Sequence, residues 1–133
     1  MKMKKLALLV LSVMVLAATT ANATPPSAVS DLYVETGYTS AIATFTVPAG
    51  ATWYEIRIWE QNMTTPGWSG YYYVTSGVCT ANTSICVPMT GFGNCHEWYW
   101  AVRVSGSGEW SNISNQPHES TRCSPQFGEV ECP

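Results

Sequence analysis

Downstream of residue 23 the chain never sustains a helical period, and that property confines it to β structure. β-Branched and aromatic residues come instead in short runs broken by Gly, Pro, Asn and Ser, the pattern of strands and turns. The clearest run is Trp53-Tyr54-Glu55-Ile56-Arg57-Ile58-Trp59. Alternate side chains of a strand point to opposite faces, so Tyr54, Ile56 and Ile58 share one side while Trp53, Glu55, Arg57 and Trp59 share the other. The charges put Tyr54, Ile56 and Ile58 inside. Further strands are expected at 30–35, 41–47, 71–75, 84–89, 97–105 and 111–115, with Trp98, Trp100, Val102 and Val104 in phase in the longest. Seven short strands at fairly even spacing predict an all-β, two-sheet sandwich.

The first 23 residues have a different task. Lys2, Lys4 and Lys5 precede an uncharged stretch of roughly 13 residues, and Ala21-Asn22-Ala23 supplies the small-x-small pattern of a signal peptidase site. This predicts a cleavable secretory signal peptide over 1–23, with Thr24 as the mature N-terminus. The apolar stretch is shorter than the ~20 residues a membrane-spanning helix needs, so no stable membrane insertion is expected. The product is predicted to be secreted or periplasmic.

All three lysines of the chain lie in that leader. The exported part keeps Arg57, Arg103 and Arg122 against nine Asp and Glu, a formal charge of −6. Such a surface repels phosphate backbones and argues against nucleic acid as a partner. The five cysteines, Cys79, Cys86, Cys95, Cys123 and Cys132, all fall in the exported part, where an oxidising compartment lets disulfides persist. Two bridges and one leftover thiol is the simplest count, and a Cys132-linked dimer is one use for the fifth.

Three segments carry a resemblance when taken in order. Pro25-Pro26-Ser27-Ala28-Val29-Ser30-Asp31-Leu32 looks like a Pro-rich lead-in to a first strand. Residues 40–48 are similar to a second strand with Phe45 where a Trp is usual. Trp98-Tyr99-Trp100-Ala101-Val102-Arg103-Val104, the Gly-rich 105–108 and Trp110-Ser111 look like a sixth strand, a loop and a seventh strand. Over residues 25–117 the chain thus resembles the fibronectin type III domains, a seven-stranded immunoglobulin-like β-sandwich, and residues 118–133 form a polar, Cys-containing tail. Trp98 stands where the family's sixth strand usually begins with a corner-tying Tyr, and most members lack cysteines. A related immunoglobulin-like sandwich is the alternative architecture.

The resemblance implies a disulfide arrangement. The segment before Trp98 and the chain after the last strand lie at one end of such a sandwich, so Cys95 is in reach of Cys123 or Cys132. Cys79 and Cys86 flank a turn-like stretch entering the fifth strand and would close a local loop. The expected pairs are Cys79 with Cys86 and Cys95 with Cys123. The tail is then either pinned through Cys123 or mobile.

Catalytic constellations are not visible. The two histidines, His96 and His118, accompany no nucleophile elbow, phosphate loop or metalloprotease helix, and His96 and Glu97 point to opposite faces of an extended segment. Cys95-His96 and His118 with Cys123 would make a Cys2His2 set, but the oxidising compartment favours the disulfide and the spacing matches no established zinc module. No enzyme activity, metal or cofactor is expected.

The aromatics carry the functional expectation. Six Trp and seven Tyr lie in the exported part, and the alternation aligns Trp53, Arg57 and Trp59 with Tyr99 and Arg103 on one outer sheet face, extended by Tyr72 with its neighbours Tyr71 and Tyr73. Exposed Trp, Tyr and Arg are the residue types that anchor protein interfaces, and flat aromatic rows also stack on sugar rings. The same residues have a purely structural use. Trp110-Ser111-Asn112-Ile113-Ser114 is similar to half of the Trp-Ser-x-Trp-Ser element of cytokine-receptor fibronectin domains, whose arginines stack with Trp. That resemblance implies a ladder of Arg57, Arg103 and Trp110. The expected function is a binding or adhesion module for a protein outside the cytoplasm, with carbohydrate recognition or a place in a cell-envelope assembly as alternatives.

Overall fold

A computed structural model describes residues 24–60 and 68–133. The expected leader, residues 1–23, lies outside the described residues. The described chain forms strands β1 (Tyr33–Thr36), β2 (Ser40–Thr46), β3 (Trp53–Glu60), β4 (Tyr73–Val78), β5 (Ser84–Thr90), β6 (Glu97–Gly106), β7 (Glu109–Trp110) and β8 (His118–Ser120). One antiparallel sheet has the order β1-β2-β5. The other runs β4-β3-β6-β7, with β8 also paired to β6.

The period-two pattern of β3 is realised as expected from its charges. Ile56 and Ile58 are fully buried and Tyr54 packs on the core from its edge. Ala41, Ala43 and Phe45 of β2, Val87 and Met89 of β5, and Trp98, Trp100, Val102 and Val104 of β6 complete the space between the sheets. Truncating one of these aromatics, such as Trp100→Ala, removes about 3–5 kcal/mol by lost transfer energy and the cavity left behind.

The seventh strand differs from the expectation for 111–115. It is split, with β7 pairing to one end of β6 (Ser105↔Trp110) and β8 to the other (Tyr99↔His118). Between them, side chains replace carbonyls. Val104 N donates to Ser111 Oγ at 3.1 Å and Val102 N to Ser114 Oγ at 2.9 Å, while the amides of Ser111 and Ser114 donate to the carbonyls of Val104 and Val102. Every buried backbone donor in that stretch of β6 keeps a partner, which is what burial demands. The β6–β7 turn places Ser107 and Gly108 at φ of 53° and 85°, the left-handed pair that a two-residue hairpin loop requires.

The polar tail is pinned. Arg122 N donates to Gly37 O and Tyr38 N to Gly128 O, and the carboxylate of Glu129 accepts from Thr39 N, Thr39 Oγ1 and Ser40 Oγ. The segment from Thr121 to Cys132 is therefore a strap over the β1–β2 turn. Ile42 is buried although its neighbours Ala41 and Ala43 face the core, so β2 is covered on its outer side as well.

The strap also decides the disulfides. Cys95 is bonded to Cys123, and Cys86 is bonded to Cys132 rather than to Cys79. Cys79 is buried and free. The expectation of a Cys79–Cys86 pair fails because Cys86 alternates with the inward-facing Val87 and so points out of the sandwich, toward the strap, while Cys79 belongs to the core. Cys132, held inside this bridge, is not available to link two copies.

Candidate functional site

β3 and β6 are neighbours, with Glu55 opposite Arg103 and Trp59 opposite Tyr99. Directly opposed residues of an antiparallel pair share a face. The sequence-predicted residues Trp53, Arg57, Trp59, Tyr99 and Arg103 are therefore brought onto one outer face, but they do not form a uniform exposed row.

At its centre is a ladder of rings and guanidinium groups. The Arg57 guanidinium carbon lies 4.5 Å from the centres of both the Trp68 and Tyr71 rings, and that of Arg103 lies 5.0 Å from Trp68 and 4.0 Å from Trp110. A short 3-10 turn, Trp68–Gly70, delivers Trp68, and its carbonyl accepts from Arg57 Nη1 at 2.8 Å. Glu55 joins the two cations, its Oε1 lying 2.8 Å from Arg57 Nε and 3.3 Å from Arg103 Nη2. Trp68 was not singled out from sequence. The Trp-Ser-Gly ahead of three tyrosines was the available signal.

At the β8 end a second stack forms. Tyr99 lies 5.9 Å from Trp59 and 4.3 Å from His118, all nearly parallel. This corrects the expectation for Trp59, which is only 3% exposed. Its outward position on β3 is occupied by the neighbouring aromatic of β6, so it cannot present a flat face to a ligand. Of the expected binding residues, Trp53 (40% exposed) remains accessible on this face, joined by Tyr71 and by Val74 and Val78 of β4, whereas Tyr72, also exposed, does not extend the face because its ring lies 5.4 Å from that of the core residue Trp98. Trp53 and Val78 are direct cross-strand neighbours.

The other candidate chemistries take structural forms. His96 Nδ1 lies 3.4 Å from Glu60 and His118 Nε2 3.9 Å from Glu97. Among the described residues no group of three or more His, Cys, Asp or Glu is arranged to hold a metal. The indole of Trp98 has no acceptor among the described residues, and the corner is tied instead by Thr121. Its hydroxyl accepts from His96 N at 3.1 Å and donates to Gly93 O at 2.6 Å. A cleft of about 470 Å³ lies between the strap and the β2–β5 edge, lined by Ser40, Pro88, Met89, Glu129 and Cys132 among others. Its Glu129 carboxylate is held below its ordinary value of 4.5 by the hydrogen bonds from Ser40 and Thr39. That group is committed to the strap and is not poised as an acid or base. Burial pushes the Cys79 thiol up, the reverse of what a nucleophilic cysteine needs. No helix among the described residues is long and apolar enough to cross a membrane.

No protein-family model matches the sequence, and no curated protein matches it. Solved structures do. The chicken CNTN1 FN1–FN3 domains align with a TM-score of 0.62 at 12% identity over 74% of this chain, which spans 31% of that one. A myokine structure aligns with a TM-score of 0.55 at 16% identity, covering 73% of this chain and 98% of that one. A computer-redesigned β-sandwich protein gives 0.54 at 11% identity, covering 72% and 95%. Two disulfides and this architecture are consistent with an exported protein. With its three-stranded and five-stranded antiparallel sheets, the chain has the fibronectin type III-like β-sandwich fold.

Proposed function

We propose that the protein is an exported, non-enzymatic binding module that engages a protein partner through the outer face of the five-stranded sheet. The observation that carries this reading is the combination, on one face, of a rigid aromatic–arginine ladder with accessible Trp53 and Tyr71 beside it. Rigid aromatic anchors lose little entropy on binding, and Trp and Tyr dominate interface hot spots. Carbohydrate recognition is the weaker reading, because Trp59 and Tyr99 stack on each other and Arg57 already lies over Trp68 and Tyr71.

The test is a comparison of wild type with a Trp53→Ser variant in pull-downs from the envelope and secreted fractions of the native source. A protein retained by wild type and lost by the variant, with unchanged circular dichroism, supports the reading. Equal retention by both overturns it. Sequencing of the secreted protein is expected to start at Thr24.

A further inference from the structure

A strand at the edge of a sheet exposes unpaired N–H and C=O groups, and proteins blunt such edges with charges, prolines or bulges. Three edges of this sandwich are treated that way. β1 carries Glu35, β5 carries Pro88 and lies beside the strap, and the β7/β8 edge carries Glu109, His118 and Glu119. From Val74 to Val78, β4 carries none of these devices; its one irregularity, Tyr72 N donating to the carbonyl of Ile58, the register partner of Tyr73, lies at the start of the strand. It reads Tyr-Val-Thr-Ser-Gly-Val, and it lies in a stretch from Gln61 to Cys95 that contains no Asp, Glu, Lys, Arg or His. Among the described residues no segment pairs with the outer edge of β4.

The open groups can be assigned. Cys79 N donates to Thr52 O at 3.0 Å, and Trp53 opposes Val78 in the same ladder. Alternation then gives Tyr73, Thr75 and Gly77 the bonds to β3 and turns the N–H and C=O of Val74, Ser76 and Val78 to the open edge. The side chains of those same three residues are the exposed ones of the strand.

We infer that this edge pairs with β4 of a second copy of the chain, antiparallel, with the two-fold axis at Ser76. That register places Ser76 against Ser76 of the partner subunit and Val74 against the partner's Val78, twice. It supplies partners for all six open backbone groups of each copy, and like faces like only where the residue is neutral. Charge selects this occupant. Residues 24–133, with three Arg against nine Asp and Glu and so a formal charge of −6, repel their own copy over most of the surface, but not along an uncharged strand whose nearest acid, Glu55, is neutralised by Arg57 and Arg103. The paired edge is distinct from the sheet face proposed above for a protein partner.

The experiment is sedimentation velocity on the exported, oxidised protein over a concentration series, with Ser76→Lys, Ser76→Cys and Glu109→Lys variants. The expected result is a reversible dimer for wild type and for Glu109→Lys. Ser76→Lys, which sets two cations side by side at the axis, weakens dimerisation on the order of 100-fold. Ser76→Cys gives a covalent dimer on a non-reducing gel under mild oxidation. Ser76 is solvent-exposed, and unchanged circular dichroism and thermal unfolding of the diluted variants separate lost pairing from lost folding. A wild type that stays monomeric throughout, or a dimer that persists undiminished in Ser76→Lys, overturns the inference.

Discussion

The guanidinium of Arg103 lies 4.0 Å from the centre of the Trp110 ring, close enough for the ring quadrupole to act on the cation. Arg103 also approaches Trp68 and the carboxylate of Glu55, so one side chain ties β6, β7, β3 and the 3-10 turn together. Arg103→Ala is expected to lower stability by about 2–3 kcal/mol through loss of two cation–π contacts and a partly buried ion pair. Arg103→Lys is expected to recover less than half, since a compact ammonium cannot stack as a planar guanidinium does. Urea unfolding midpoints at constant slope measure both.

The serine substitutes in the seventh strand make a sharper prediction. Ser111→Ala and Ser114→Ala each leave a buried amide of β6, Val104 N or Val102 N, without an acceptor. Each is expected to destabilise by about 1–3 kcal/mol. Accelerated hydrogen exchange at the corresponding amide, and not at Ile56, is the local signature.

Loss of Cys132 is expected to destabilise more than the local nature of a tail suggests. The Cys86–Cys132 bridge closes a 46-residue separation, and the chain-entropy model assigns such a loop about 4 kcal/mol. Cys132→Ser should show this in thermal or urea unfolding. Thiol titration distinguishes the pairing directly. The single free thiol, Cys79, is buried, so native protein should be unreactive and denatured protein should release one equivalent.

Acid is expected to loosen the strap. Hydrogen bonds hold Glu129 below its ordinary 4.5, chiefly from Ser40, and hold Asp31 below 3.8, chiefly from the Thr46 side chain. Both folded-state values lie under the unfolded ones. Their contribution is therefore complete above about pH 4.5 and is lost as pH falls through the lowered values. Glu129→Gln should flatten the acid limb of the stability profile, and Thr39 amide exchange should show the release first.

What the sequence made legible was whatever depends on alternation along one strand. Ile56, Ile58, Trp100, Val102 and Val104 face the core because charged and apolar residues alternate there, and the neighbouring of β3 and β6 followed from the sandwich order. What stayed hidden depends on contacts across strands. Trp59 has the parity of an exposed residue and is buried because Tyr99 happens to oppose it and His118 to continue the stack. The split seventh strand required knowing that Ser111 and Ser114 can stand in for carbonyls. Cys86 found Cys132 because backbone bonds at Gly37 and Tyr38 and the Ser40 hydroxyl, which accepts from Val130 N, set the path of a tail that has no apolar pattern to betray it.

The strap has a mechanical consequence. Tension applied beyond Cys132 enters the sandwich through a covalent bond at Cys86, in β5, instead of travelling back through the hydrogen bonds of β8. The path of force from the C-terminal side thus skips the last two strands, and those are sheltered from being peeled off β6.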